Sequence, residues 1–138
     1  MTEKKTVVAP EMAEAEFDRF VDEMDLDVDT SVMDEEDRTS FDKQKRRIIK
    51  AMVNGSLIIN ENGEAVYAPQ RSDIDSLITF HERTGASLMA MDNKKKNHDV
   101  AKTYAVMASM TKEHPGIFAK LKGTDIKVCE ALYALLMD

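Results

Sequence analysis

Acids occupy the first, third, fifth and twelfth places of DLDVDTSVMDEE, Asp25 to Glu36. That is the ligand spacing of a calcium loop between two helices, where carboxylate, hydroxyl and carbonyl oxygens surround a hard cation. Asp25, Asp27, Asp29, Ser31 and Glu36 fill the side-chain positions, and Val32 takes the place of the aliphatic residue. Thr30 stands where such a loop needs glycine, and a β-branched side chain resists the positive φ of that turn. No second loop of this kind is found to pair with it. Residues 25–37 hold seven acids, no base and no hydrophobic period. The preferred reading is therefore a solvated acidic linker, with those five residues kept as the candidate calcium ligands.

Other chemistry is thin. His81, His98 and His114 are far apart and share no metal-ligand spacing with Cys129. Cys129 falls on the apolar side of the last helical segment, which suits a small buried residue better than a nucleophile. Ser87 and Ser109 have no histidine at a telling position, and five glycines supply no phosphate-cradling loop. The chain is expected to be no enzyme and to need no cofactor. The basic run KQKRRIIK could touch phosphate, but no aromatic residues are interleaved with its bases. It reads as an exposed helix face that balances the acidic segment, and no nucleic-acid partner is expected.

Several elements must position these residues. Pro10 can open a helix in which Met12, Phe17, Phe20, Val21 and Met24 form a narrow stripe. Ser40 can cap a second helix that places Phe41, Ile48, Ile49 and Met52 on one side and ends at Gly55. In SLIINENGEAVYAP, two β-prone runs flank Asn62-Gly63, the pair preferred for a two-residue hairpin turn. Ile74–Phe80 alternates well enough for a third strand, with a short helix as the other reading. Helices follow from Thr84-Gly85, over Val100–Met110, and from Pro115 to Leu121, where Gly123 stops the third. Thr124 caps a final helix striped by Ile126, Cys129, Leu132, Tyr133 and Leu136. The fold class is α+β, mostly helical, with a small antiparallel hairpin or three-stranded sheet.

Charge divides the 138 residues. Residues 1–42 hold 15 acids and 4 bases, leaving 11 acids and 15 bases for the remainder, in a chain of net charge −7. The expected organisation is an acidic, largely flexible arm over 1–40, with a helix at 10–24, ahead of a compact domain over 41–138. No apolar run approaches the roughly 18–20 residues that span a bilayer. The amino-terminal lysines precede no long apolar stretch, so no secretory signal is expected. The single cysteine suits a reducing compartment. Ten methionines and no tryptophan fit a surface that accepts varied apolar partners. Met89, Met91, Met107, Met110 and Met137 lie in the C-terminal helices.

From Phe41 onward a helix leads to GSLIINENGEAVYAP, then ITFHERTGASLMAMD, an amphipathic helix ending in ASMT, and IFAKLKGTDIKVCEALYALLMD. This order resembles the tail assembly chaperones of long-tailed bacteriophages over about two-thirds of the chain. Leu121, Asp125 and Leu132 match the family's leucine, aspartate and terminal helix, while MTKEHPG replaces its usual Thr-Gly step. The resemblance implies a small, mostly helical, non-enzymatic protein of the host cytoplasm. Such a protein coats the aggregation-prone tape measure protein and helps recruit tail tube protein. Exposed apolar stripes could equally serve self-association, and the lack of a long apolar run leaves no membrane partner expected. On this reading the client-binding candidates are Met107, Met110, Phe118, Leu132, Tyr133 and Leu136. The alternatives are a structural virion component, such as a head–tail connector or capsid accessory protein, and an acidic regulatory or calcium-binding protein.

Overall fold

A computed structural model describes residues 8–90, 92 and 99–137. Helix α1 spans Pro10–Glu23, with proline in its first turn, where its missing N–H costs nothing. Its side chains Ala13, Phe17, Phe20 and Val21 are buried. Helix α2 spans Glu35–Val53 and begins five residues ahead of Ser40. Its cap is Asp34, whose carboxylate accepts the Asp37 N–H at 2.7 Å, and Glu35, Glu36 and Asp37 line its first turn. Anionic side chains at the positive end of the helix dipole favour that start. The tail of the acidic run thus builds a helix terminus, and only its first part, with one 3₁₀ turn at Thr30–Val32, connects α1 to α2.

Strands β1 (Leu57–Ile59), β2 (Ala65–Tyr67) and β3 (Ile78–Phe80) form one antiparallel sheet in that order. The register sets Ile58 opposite Val66 and Val66 opposite Thr79. Asn62-Gly63 is not a two-residue turn. Gly63 alone takes positive φ (+80°), and Asn60 N–H donates to Glu64 O across a three-residue loop. Asn60 organises it, its side-chain oxygen accepting the N–H groups of Asn62 and Glu64. This is a turn followed by a left-handed bulge residue, the next most common hairpin connection.

Helices α3 (Gly85–Met89), α4 (Asp99–Thr111), α5 (Pro115–Lys120) and α6 (Thr124–Met137) complete the chain. Thr84 and Ser87 form a capping box at α3, and His114 caps α5 by accepting the Gly116 N–H on Nδ1. That gives His114 a local structural role. Met91 and His98 lie outside the described residues.

One core runs from Ala13 of α1 to Leu136 of α6 and draws on the three strands and every helix except α3. The boundary expected at 40/41 therefore falls inside α2, and the acidic α1 shares the core of the domain it was expected to precede. Phe17 meets Phe41 edge-on at 6.4 Å, and Lys45 lies over the Phe17 ring and pairs with Glu14 at 3.1 Å. Arg19 donates to the carbonyls of Ile59 and Asn60 at 2.8 and 2.9 Å, tying α1 to the end of β1. Val8 N–H reaches Val53 O at 3.0 Å. Net negative charge did not prevent docking, because the aromatic stripe removes apolar surface from water while the acids stay on the outer side.

Candidate functional site

Helices α2 and α6 pack with opposite polarity. Ala134 of α6 shares a hollow with Phe41 and Gln44, whereas Val128 shares another with Ala51 near the far end of α2. The two ends of this pair carry opposite charge.

At the end where α6 begins, the central residue is Asp125, which is 0% exposed. Its Oδ1 accepts the Tyr67 hydroxyl at 2.5 Å and the Gln70 N–H at 2.8 Å. Its Oδ2 accepts the Arg71 and Ser72 N–H groups at 2.8 Å and the Ser72 hydroxyl at 2.7 Å. Ser72 Oγ in turn accepts the Lys122 N–H at 2.8 Å. Burial alone would raise the carboxyl pKa. Donors from Gln70, Tyr67, Ser72 and Arg71 outweigh it and hold the group below the ordinary carboxylate range. Burial first, and then the hydrogen bond and charge of Asp125, push the Tyr67 phenol up, so it stays protonated and donates. The clasp fixes loop 69–72 to the start of α6. The sequence pattern had marked Asp125 only as a family position; its burial and its five donors come from segments more than fifty residues away.

Beside this clasp opens a cavity of about 350 Å³. Arg47 and Lys50 of α2, Arg71 of the loop and Lys127 of α6 line it, and no carboxylate does. Ala51, Val128 and the buried Tyr67 give it an apolar floor. Among the described residues, none of the four bases pairs with a carboxylate. Lys43, Lys45 and Arg46, from the same basic run, do not line it.

The opposite end holds a hollow of about 390 Å³ lined by Asp27, Asp29 and Asp37. Here lie the candidate calcium residues. Asp25, Asp27, Asp29, Ser31 and Glu36 are all exposed, and Glu36 belongs to α2. Asp29 accepts both the N–H and the hydroxyl of Ser31, at 3.0 and 2.6 Å, while Asp27 accepts the Asp29 N–H. The Ser31 bonds hold the Asp29 pKa down. Thr30 opens the 3₁₀ turn without positive φ. Among the described residues, no three His, Cys, Asp or Glu side chains are placed to hold a metal ion. The helix–loop–helix order fits the calcium spacing, but the carboxylates serve local turns and do not converge.

The expected client-binding residues lie elsewhere. Met107, Met110, Phe118, Leu132 and Leu136 are buried in the core, and Tyr133 is half-buried against it. Their periodicity marked an apolar side correctly, but that side faces the protein's own elements: α6 packs on α2, α4 on β3 and α5, and Phe118 meets Tyr104 of α4. A charge at Leu132 or Leu136 would therefore report on folding and not on binding. Cys129 is buried too, and burial followed by the charges of Asp125 and Glu130 keeps its thiol protonated. His81 pairs through Nδ1 with Glu64 Oε2 and joins β3 to α4 through its N–H on Met110 O. Burial would raise the Glu64 pKa, but bonds from Asn60 and His81 and the charges of His81 and Lys112 leave it lowered.

Among the described residues, the exposed large apolar side chains are Met12, Val32, Ile58, Leu77, Met89 and Val100. Ile58 and half-buried Val66 share the outer face of the sheet with Thr79, because alternate strand residues point to one side, and exposed Leu77 directly precedes β3. No described helix is long and apolar enough to cross a membrane. Comparison with protein-family models, curated proteins and solved structures found no match to this chain.

Proposed function

We propose that this chain is a tail assembly chaperone of a long-tailed bacteriophage, which holds the tape measure protein in solution in the host cytoplasm until the tail tube is built. The observation that supports this reading is the order of elements after Phe41. A helix, a hairpin, a third strand with a short helix, an amphipathic helix and an apolar closing helix follow one another as in the resemblance drawn above. Leu121 and Asp125 have physical roles that fit that pattern: Leu121 is buried in the core, and Asp125 locks the start of the closing helix. The reading now places the client on exposed positions. Ile58 and Val66 on the outer sheet face, with exposed Leu77 just ahead of β3, offer apolar surface to an amphipathic client helix, and the acid-rich exterior keeps the complex dissolved.

Co-expression with the tape measure protein of the same phage tests this. The wild-type chain should keep the tape measure protein in the soluble fraction and co-purify with it. Ile58→Glu with Leu77→Glu should lose that recovery while the circular dichroism stays unchanged. Presence of the chain at fixed stoichiometry in finished particles would instead favour a structural virion component.

A further inference from the structure

We propose that the cavity between α2, loop 69–72 and the start of α6 is a binding site for a small phosphate-bearing organic anion of nucleotide size. Four cationic side chains, Arg47, Lys50, Arg71 and Lys127, meet at one concavity of about 350 Å³ that no carboxylate lines. Like charges gathered this closely repel one another, and a bound multivalent anion relieves that repulsion. Elsewhere Glu14 of α1 neutralises Lys45 of α2. Asp125, next to Thr124 at the rim, does not offset the cavity's four bases: its carboxylate is turned into the protein and occupied by five donors.

Two features give the anion a definite placement. The Arg71 main chain is fixed by Asp125, and its guanidinium lies over Gly123, with Nη1 3.3 Å from where a β-carbon would stand. A planar guanidinium fork on a fixed main chain suits paired hydrogen bonds to a phosphate. Asn54, Gln70 and Thr124 add neutral polar groups at the rim.

Size and floor define the rest of the ligand. The volume falls in the range of roughly 300–1,000 Å³ seen for small-molecule sites. Ala51, Val128 and Tyr67 offer an apolar floor to a flat organic group, which inorganic phosphate would leave uncovered. A long polyanion is disfavoured, because the chain carries a net charge of −7 and its acid-rich segment would repel it.

The test is a titration of the full chain with adenosine diphosphate, with inorganic pyrophosphate, and with a short single-stranded oligonucleotide, followed by amide NMR and calorimetry. The expected result is saturable binding of adenosine diphosphate, tighter than pyrophosphate, with shifts confined to residues 47–56, 67–72 and 124–128. Arg71→Gln should weaken it about tenfold, the loss of one paired, charge-assisted contact. Lys127→Gln should weaken it by a smaller factor, while Lys43→Gln, outside the cavity, changes nothing. Circular dichroism of each variant guards against misfolding. Linear, unsaturated shifts, equal loss in the Lys43 variant, equal affinity for pyrophosphate, or preference for the oligonucleotide would each overturn the proposal.

Discussion

The α2–α6 pair ends in two hollows of similar volume, about 350 and 390 Å³, whose charged residues are used in opposite ways. At the acidic end the carboxylates work locally. Asp29 closes a turn, Asp34 caps α2, and Arg38 donates to the carbonyls of Thr30 and Met33. At the basic end the single buried carboxylate ties together segments distant in sequence, and the cations around it are left facing a cavity. Asp27, Asp29 and Asp34 of the acidic run thus accept N–H groups of their own near neighbours, whereas the bases converge only because three separate elements meet. Charge density in the sequence did not distinguish the two; what each group bonds to does.

The sharpest contrast comes from removing one carboxylate at each end. Asp125→Asn should cost about 3 kcal/mol, because an amide cannot accept all five donors and turns its own N–H groups toward those of the loop. Asp29→Asn, exposed and local, should leave the urea midpoint unchanged. Similar midpoint shifts for the two variants would remove the distinction. The pH dependence has a definite sign. The folded pKa of Asp125 lies below its unfolded value of about 3.9, so the clasp's contribution is complete above that pH. It is lost as pH falls through the lower, folded value. The wild type should therefore show an acid-induced loss of stability below about pH 4 that is reduced in Asp125→Asn.

A smaller effect tests whether the acid-rich α1 is held as firmly as the helices behind it. A β-carbon on Gly63 would stand 2.2 Å from Glu23 Cβ, and the residue's φ is +80°. Gly63→Ala should cost about 2 kcal/mol, through backbone strain and displacement of α1 from the hairpin. Hydrogen exchange should then rise in residues 10–24 as well as at the turn. Exchange confined to the turn would mean that α1 is not anchored there.

The smallest effect concerns the basic cavity. Arg47→Gln with Lys127→Gln should leave stability unchanged or raise it by up to about 0.5 kcal/mol in low salt, by easing repulsion between like charges. The gain should disappear in high salt. Clear destabilisation in low salt would show that these bases hold the fold together.

Much of the architecture was legible before any coordinates. Proline at the start of α1 and α5, Thr84 ahead of α3, and glycine at Gly63 and Gly123 are local signals. Each fixes backbone dihedrals or a single orphan N–H, and these depend on neighbours in sequence. Over Ile74–Phe80 the alternation left a strand and a short helix both open, and the outcome is a strand over Ile78–Phe80 alone. The start of α2 was misplaced because Asp34 and the acids after it were read as linker charge, although a capping aspartate before an acidic first turn is itself a helix signal. Periodicity also marked Met107, Phe118 and Leu132 as apolar positions.

What the sequence could not decide was what those positions face. A stripe has the same period whether it meets a client or the molecule's own sheet, and packing of α6 against α2 settled it as core. The docking of α1 was undetermined for the same reason: its aromatic stripe is local, but the surface it covers is assembled from α2 and the hairpin. The carboxylate clasp and the basic cavity required the whole fold, since Tyr67, loop 69–72 and Asp125 become neighbours only through it. Composition and local pattern set the elements, because dihedral preference and amphipathicity are short-range. Burial, pairing and site geometry were decided by tertiary contact, because they depend on which distant groups fill the space beside each side chain.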